Sequence, residues 1–296
     1  MQSKWLAIAG RLLSLASVFF LVWLVFLEWE QVISAFQELS SPALLVSIFT
    51  LLLLNHFISV LALAHLCDRP GSLSLLEVQA VSQIAKYLPG NVFHLVSRVA
   101  MAQSAGVEPA KMSEVTIVEI LGVLMSGVLF TAICLLVSGH VSEFLVNIDT
   151  NLLVVLVISI VLIVLVTSLL NLRFNKRSST VNLRKIAIVT AYYLPIFLST
   201  AFAFYLLMSP LNGMPFSTVA AANTVAWIAG FVVPGAPGGL GVREVVLYQL
   251  FQGDVPEALV LYLLLVMRCM SVVTDFTFYM IGLLFGKIVL RPNRAA

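Results

Sequence analysis

The chain has 296 residues, of which 61% are hydrophobic and 10% are charged, and its mean hydropathy is +1.08. This composition exceeds what a soluble core requires and predicts an integral membrane protein. The net charge of +2 comes from basic residues scattered between apolar segments, which excludes a continuous basic face for nucleic acid. The three cysteines follow neither a metal-ligand spacing nor a disulfide framework, and we expect no metal and no cofactor.

Six apolar runs are long enough to cross the hydrocarbon layer as helices, which takes about 20 residues. The first run follows Lys4 and Arg11, as in a signal peptide, but it ends in Glu28-Trp29-Glu30 without a small-residue cleavage pattern. We therefore interpret it as a retained span. The runs predict an all-α polytopic membrane protein with spans at residues 6–27, 44–66, 115–138, 152–170, 186–208 and 258–286.

Two further regions, residues 75–106 and 216–252, each hold a pair of short helical patterns broken by Pro and Gly. Neither half of a pair is comfortably long enough to span. We predict two re-entrant helical hairpins, because non-helical backbone at membrane depth is tolerated where it is buried in protein or lines a wet cavity. Two alternatives stay open: an exposed loop between ordinary spans, and eight transmembrane helices with both arms of the second hairpin crossing.

The distribution of basic residues indicates the topology, because Lys and Arg gather in cytoplasmic loops near the ends of spans. Six crossings with both termini in the cytoplasm satisfy this rule. We therefore predict a multi-pass protein of the cytoplasmic (inner) membrane. The basic residues then at or near the inner face are Lys4, Arg11, Arg69, Lys111, Arg173, Lys176, Arg177, Arg184, Lys185, Lys287, Arg291 and Arg294.

The two broken regions resemble each other. IAKYLPGNVFHLVSR runs from Ile84 to Arg98, and IAGFVVPGAPGGLGVR runs from Ile228 to Arg243. Ile84 and Ile228 lie 144 residues apart, close to half the chain, which is typical of an internal duplication. With three spans in each half, the second copy enters from the opposite side. We predict one membrane domain, residues 1–296, made of inverted halves of about 1–148 and 149–296, with a substrate site where they meet.

The stretches KYLPGNVFHLVSR (86–98) and PGAPGGLGVRE (234–244) resemble the signature stretches of the lysylphosphatidylglycerol synthase transmembrane, or flippase-like, family. The resemblance extends over essentially the whole chain. It implies a protein that moves, or helps to move, a lipid or lipid-linked molecule between leaflets. The aminoacyltransferase domain of bifunctional members is absent from this sequence, so the resemblance implies translocation without lysyl transfer.

Charged residues inside spans are expensive, so each is a candidate for a function or an ion pair. Arg98 and Arg243 follow the two breaks at matching places and could receive a lipid phosphate, with Lys86 adding a point charge. The alternative is that each Arg pairs with a carboxylate or carbonyl and holds its hairpin in shape. Glu119 and Glu244 could be counter-ions of these arginines or proton carriers.

Arg268 and Asp275 share one face of the last span and could form an intramembrane ion pair, line a cavity or bond to other spans. His94 lies in the first broken stretch and could titrate near neutral pH. The predicted substrate-binding residues are Lys86, Tyr87, Pro89, Gly90, Asn91, His94, Arg98, Glu119, Pro234, Gly235, Pro237, Gly238, Gly239, Gly241, Arg243 and Glu244.

These observations favour a non-enzymatic transporter that moves an anionic phospholipid or lipid-linked glycan across the membrane. A rival hypothesis is a membrane glycosyltransferase that uses a polyprenyl-phosphate sugar, with Glu28 and Glu30 as its acidic pair. A third is an accessory subunit of a surface polysaccharide or glycolipid pathway, beside a biosynthetic partner enzyme. Gly282 and Gly286 form a GxxxG pattern that permits close helix contact within the bundle or in a homodimer.

Overall fold

The computed structural model describes residues 30, 33, 41–69, 71–87, 93–139, 183–208, 214–233, 237–239, 241–251 and 255–290. These residues form helices and turns, without a strand among them, which confirms the all-α prediction for this part of the chain. The helices are α1 (Pro42–Leu66), α2 (Leu73–Ile84), α3 (Phe93–Ala100), α4 (Pro109–Ser138), α5 (Leu183–Met208), α6 (Phe216–Val232), α7 (Val242–Phe251) and α8 (Glu257–Leu290).

Four of these helices, α1, α4, α5 and α8, are long and apolar enough to cross a membrane. They correspond to four of the six predicted spans, and the other two, 6–27 and 152–170, lie outside the described residues. Helix α4 begins six residues before its predicted start, because Pro109 occupies the first turn, where no backbone N–H is needed.

The distribution of side chains is the reverse of that in a water-soluble bundle. Large apolar residues such as Leu54, Val128 and Phe276 are exposed on the outside, while the charged Arg98 and Asp275 are buried. An apolar exterior around a polar interior is what a hydrocarbon solvent selects, because lipid chains cannot solvate charge. The composition and the fold therefore agree on a membrane protein.

Each broken region folds as the predicted pair of short helices. Helices α2 and α3 form the first hairpin and α6 and α7 the second, with contacts between the two arms of each. Short 3₁₀ turns, Ala85–Tyr87 and Pro237–Gly239, follow the first arm of each hairpin. Gly238 and Gly239 in the second turn have φ values of 57° and 73°, a region that glycine enters without a steric penalty.

The described helices repeat one order and one set of contacts. Helices α1 to α4 run long, short, short, long, and α5 to α8 do the same. Helix α1 contacts its counterpart α5, and the two 3₁₀ turns contact each other. Further contacts also correspond between the two sets. Helix α2 contacts α8 as α6 contacts α4, and α4 contacts α5 as α8 contacts α1. Likewise, α3 contacts α4 as α7 contacts α8. This correspondence supports an internal duplication.

The counterparts α1 and α5 run antiparallel. The Ser199 hydroxyl donates a hydrogen bond of 2.6 Å to Asn55 Oδ1 near the middle of both helices. Towards the end of α1, the ring of His65 lies 6.1 Å from that of Tyr192, which precedes Ser199 in α5. Positions that advance along α1 therefore meet positions that go back along α5, so the two helices have opposite directions.

The two hairpins enter the bundle from opposite ends. At one end, which we call the basic end, Lys111 binds Asp68 at 3.0 Å, and Lys185 lies 3.9 Å from Glu114. The first hairpin begins and finishes at this end, because the Arg69 guanidinium donates to the carbonyl of Ala105 at 2.9 Å.

At the other end, the rings of Phe204 and Phe251 lie 6.3 Å apart, and those of Tyr205 and Phe216 lie 5.3 Å apart. The second hairpin therefore begins and finishes beside the end of α5. No Lys or Arg lies at this end among the residues that the structure describes.

The GxxxG pattern of α8 is used inside the bundle. Gly282 lies against Ala80 of α2, and Gly286 lies against the side chain of Glu77, so closely that a Cβ at either glycine would overlap them. These glycines allow α8 to approach the first hairpin. Their presence is explained within one chain and gives no support to a homodimer.

Candidate functional site

The two hairpins meet where their helices break. The turn at Ala85–Tyr87 contacts the turn at Pro237–Gly239, and Arg268 of α8 donates a 2.9 Å hydrogen bond to the Gly238 carbonyl. Two features require glycine at position 239: its φ of 73°, and the 2.9 Å that would separate a Cβ there from the backbone of Gly230 in α6. Packing of glycine on glycine lets the second hairpin fold back on itself at the meeting point.

A cavity of about 270 Å³ lies beside the two turns. Both hairpins and the helices α1, α4, α5 and α8 contribute to its wall. Its apolar part includes Leu52, Val123 and Trp227. The polar and charged residues that line it are Asn55, His56, Ser59, Gln83, Lys86, Tyr87, His94, Arg98, Glu119, Tyr193, Thr200, Asn223, Arg243, Arg268, Ser271, Thr274 and Asp275.

The cavity wall follows the internal repeat. Lining residues of the first half have counterparts in the second half at a spacing that is constant within each of three sets: Gln83, Lys86 and Tyr87 with Trp227, Gly230 and Phe231, 144 residues on; Glu119, Ile120 and Val123 with Met267, Arg268 and Ser271, 148 residues on; Leu52, Asn55 and Ser59 with Tyr193, Ile196 and Thr200, 141 residues on. The positions correspond but the chemistry does not. The cavity is thus symmetric in construction and asymmetric in charge.

Asp275, in the middle of α8, is held by three groups from the first half. Lys86 Nζ lies 2.8 Å from Oδ1 and 2.7 Å from Oδ2, and the Tyr87 hydroxyl donates to Oδ2. His56 Nε2 lies 3.1 Å from Oδ1. Asp275 is 1% exposed, so these contacts replace its hydration. This cluster joins the first hairpin and α1 to the last helix of the second half.

Glu119 of α4 is the partner of Arg98. The two side chains form a buried ion pair, and the Tyr193 hydroxyl donates to Glu119 Oε1 at 2.6 Å. Arg98 and Glu119 are 3% and 5% exposed. The charge of Arg98 is thus compensated by a carboxylate of a neighbouring helix, which is the contact that the structural alternative expects.

Glu244 binds Arg268, whose Nε donates to Oε1 at 2.7 Å. The ion pair between Arg268 and Asp275 considered from the sequence is not formed, because each has a partner on another segment. Their two-turn separation on α8 places them on one face, but it also keeps their charged groups apart. Both residues line the cavity, and each bonds to another segment.

Arg243 differs from the other cavity cations. No carboxylate of the described residues forms an ion pair with it, although Glu244 is its neighbour in sequence. Its guanidinium carbon instead lies 5.5 Å from the centre of the Trp227 ring. A Cβ on Gly230 would lie only 2.5 Å from the Cγ of Arg243, too close for both atoms to be accommodated. The glycine therefore lets the arginine stem lie flat against α6.

The charges of this region sum to one positive charge in excess. Among the described residues, the cations Lys86, Arg98, Arg243 and Arg268 face the carboxylates Glu119 and Asp275 of the cavity wall and Glu244, which binds Arg268, with both lining histidines counted as neutral. Arg243 is half-buried, and a charge withdrawn from water without a partner is costly unless it has a binding role or an external counter-ion. The imbalance predicts an anionic ligand.

The unpaired polar atoms of the cavity point to the same ligand. Several buried atoms of lining residues have no hydrogen-bond partner among the described residues, and all but one are donors whatever their protonation. They are Asn55 Nδ2, Arg98 Nε, Arg243 Nε and Arg268 Nη2, together with Nδ1 of His94. A ligand rich in acceptor oxygens complements such a surface.

The remaining predicted residues divide into two groups. Gly241 precedes α7 with a φ of 83°, and Pro237 opens the second 3₁₀ turn. Pro89, Gly90, Asn91, Pro234 and Gly235 lie outside the described residues. Of the acidic pair of the glycosyltransferase hypothesis, Glu28 also lies outside the described residues, and Glu30 is exposed.

Sequence reasoning missed His56, Tyr193 and Asn55 as members of the site. The signal was present, because Asn55, His56 and Ser59 share one side of α1 in an otherwise apolar span. Tyr193 gave no comparable signal, since tyrosine is common at membrane interfaces and its hydroxyl finds Glu119 only in the folded bundle.

No protein-family model, no curated protein and no solved structure matches this chain.

Proposed function

We propose that this protein is a transporter of the cytoplasmic (inner) membrane that moves an anionic lipid or lipid-linked glycan between leaflets. The headgroup enters the cavity between the hairpins, while the hydrocarbon chains stay in the bilayer. The observation that supports this most strongly is Arg243, a cation at the cavity without a carboxylate partner among the described residues. The resemblance of the two broken stretches to flippase-like proteins points to the same function.

The proposed topology has six crossings, two re-entrant hairpins and both termini in the cytoplasm. The antiparallel α1 and α5 support inverted halves, and the basic end fits the cytoplasmic side. Helices α2, α3, α6 and α7 have 12, 8, 17 and 10 residues, at most about 25 Å at 1.5 Å per residue. Each is shorter than the roughly 30 Å hydrocarbon layer, which favours re-entrant arms over eight spans.

Alternating access requires that the halves move relative to each other around the cavity. The Asp275 cluster crosses between the halves, because Lys86, Tyr87 and His56 belong to the first and Asp275 to the second. The pairs Arg98–Glu119 and Arg268–Glu244 each lie within one half. Rocking therefore separates the contacts of Asp275 and leaves the other two pairs intact.

The transport proposal is tested with the purified protein in liposomes that contain fluorescent phosphatidylglycerol, with quenching of the outer leaflet as the readout. Wild type accelerates lipid exchange between leaflets, and Arg243→Gln reduces this rate at least tenfold while the protein stays folded. Lys111→Gln is the control, because it removes one positive charge at the exposed pair with Asp68. Exchange no faster than in empty liposomes, both with this lipid and with a fluorescent polyprenyl-phosphate sugar, would favour an accessory role or the glycosyltransferase hypothesis.

The topology is tested by single cysteines on a background that lacks Cys67, Cys134 and Cys269. Ser104, exposed beside the first hairpin, labels from the cytoplasmic side after substitution by cysteine. Pro256, exposed before α8, labels from the opposite side after the same substitution. Labelling of both positions from one side contradicts the inverted arrangement, whatever the outcome of the transport assay.

A further inference from the structure

We propose that the cavity selects headgroups that carry a single negative charge on a phosphodiester, over phosphomonoesters and diphosphates. This inference rests on the proposed function and names the substrate class within it. It follows from how the charges of the cavity are arranged around Arg243.

The charges of the cavity favour a ligand with one negative charge. Glu119, Glu244 and Asp275 each already bind one cation, which leaves Arg243 to compensate a ligand. One monoanion neutralises the excess of one. A second negative charge has no further unpaired cation among the described residues, and it gains one only by displacing a carboxylate from Lys86, Arg98 or Arg268. Three fixed carboxylates also repel it at close range in a low-dielectric site.

A second feature is the geometry of Arg243. The centre of the Trp227 ring lies 5.5 Å from the Arg243 guanidinium carbon, a distance at which a cation and an aromatic face attract each other without the use of an N–H donor. Nε has no hydrogen-bond partner among the described residues and lies beside Gly230 and Gly239, where a Cβ on either glycine would be within 3.0 Å of it. An in-plane pair of N–H groups matches the two non-bridging oxygens of a phosphodiester.

A third feature is the surface that would surround the rest of the headgroup. Asn55 Nδ2 and Arg268 Nη2 are buried donors without partners in the described part of the chain. Asn223, Ser271 and Thr200 add neutral polar groups to the wall. Neutral groups can bind hydroxyls without adding charge, so a glycerol or a sugar attached to the phosphate is compatible with this wall.

Two lipid classes present this chemistry. Phosphatidylglycerol and polyprenyl-phosphate sugars are both phosphodiesters with one negative charge. Polyprenyl-diphosphate sugars carry two, and phosphatidic acid carries up to two near neutral pH because it is a phosphomonoester with a second pKa close to 6 or 7. The cavity charge does not separate the first two classes, so the experiment has an arm for each.

The experiment measures displacement of fluorescent phosphatidylglycerol, and in a second arm of a fluorescent polyprenyl-phosphate glucose, from the purified full chain in neutral detergent by unlabelled lipids. The competitors are phosphatidylglycerol, a polyprenyl-phosphate glucose, the matching polyprenyl-diphosphate glucose, phosphatidic acid and phosphatidylcholine. At least one monoanionic phosphodiester should displace the probe at a concentration at least tenfold below those needed for the two multiply charged lipids. The more potent of the two phosphodiesters identifies the source.

Two charge variants sharpen the test. Asp275→Asn frees Lys86, and Glu244→Gln frees Arg268, so each raises the excess from one to two positive charges. Each should shift the preference towards the diphosphate at least tenfold relative to wild type. Lys111→Gln serves as the control with unchanged preference. The pair of variants keeps the test intact where one of them fails to fold, and the wild-type competition stands without either.

The outcomes separate this inference from the proposal on which it rests. A wild-type protein that binds the diphosphate or phosphatidic acid as tightly as the phosphodiesters overturns the monoanion selectivity and leaves anionic lipid transport standing. Binding of phosphatidylcholine at the same concentration as the phosphodiesters, or no saturable binding of either probe, overturns both.

Discussion

Arg98 and Arg243 follow corresponding breaks in the two hairpins, but their surroundings differ. Arg98 lies on the second arm of its hairpin and binds Glu119 of the next long helix. Arg243 lies in the first turn of its second arm, with its guanidinium carbon 5.5 Å from the centre of the Trp227 ring. Arg98 has a carboxylate partner, whereas Arg243 has none among the described residues. Similar places in two stretches that resemble each other in sequence therefore do not imply the same contacts.

The ion pairs next to these arginines are reversed in charge between the halves. In the first half the hairpin supplies Arg98 and the long helix supplies Glu119. In the second half the hairpin supplies Glu244 and the long helix supplies Arg268. Each half thus ties its hairpin to its long helix by one ion pair of its own. Arg243 is additional to this arrangement, which is why it accounts for the excess charge.

The largest expected effect comes from breaking the structural arginine. Glu119→Ala leaves Arg98 buried and uncompensated, and we expect a loss of about 3–5 kcal/mol in the free energy of unfolding. Arg243→Gln should change stability by less than about 1 kcal/mol, because it removes no ion pair. Denaturant titration of the purified protein in micelles measures both. Glu108→Ala is the control, since Glu108 is exposed and makes no side-chain cap to α4.

Equal losses for Glu119→Ala and Arg243→Gln would remove the distinction between the two arginines. A loss for Arg243→Gln above that for Glu119→Ala would indicate that Arg243 has a structural partner of its own.

The next effect concerns the second break. Gly239→Ala forces a Cβ onto a residue with φ of 73° and to within 2.9 Å of the Gly230 backbone. Gly71→Ala is the matched control, with φ of 75° and nothing within 4 Å. Both substitutions cost about 1–2 kcal/mol for the left-handed conformation, and crowding should bring the Gly239→Ala loss to about 2–4 kcal/mol. Equal losses in the same titration would show that the two glycines are needed only for their dihedral angles.

Much of the fold could be predicted from the sequence, because it depends on local signals. The spans α1, α4, α5 and α8 follow from apolar runs of sufficient length, and the two hairpins follow from Pro and Gly between short apolar helices. The correspondence of the halves was visible in the spacing of Ile84 and Ile228. These features require no knowledge of which residues meet in space.

The partners within the site could not be predicted, because they depend on tertiary contacts. Lys86 and Asp275 are 189 residues apart, and no sequence pattern joins them. Arg243 and Glu244 are adjacent in sequence, yet Glu244 binds Arg268, since successive residues on a helix point in different directions. The charge excess therefore became apparent only after each ion pair had been assigned.

A smaller effect is expected where α8 packs on the first hairpin. Gly282→Ala places a methyl group against Ala80, which cannot move without its helix, and should cost about 1–3 kcal/mol. The corresponding contact of the other half, α4 with α6, provides the control. A Cβ on Gly127 would lie 3.0–3.2 Å from side-chain atoms of Ile228 and Phe197, which can shift by a few tenths of an ångström, whereas the Ala80 Cβ would lie 2.3 Å from a Cβ on Gly282, so Gly127→Ala should cost less than Gly282→Ala. A change of oligomeric state with Gly282→Ala would instead assign this glycine to a dimer contact.

The smallest effect tests the direct contact between the counterparts α1 and α5. Ser199→Ala removes the 2.6 Å hydrogen bond to Asn55 Oδ1 and should cost about 0.5–1.5 kcal/mol, because Asn55 is 8% exposed and its carbonyl loses this donor. Ser47→Ala is the control, since its hydroxyl bonds only within α1 and is exposed. If Ser199→Ala has no greater effect than Ser47→Ala, apolar packing is sufficient to hold α1 and α5 together at this point, and the hydrogen bond does not restrict movement of the two helices.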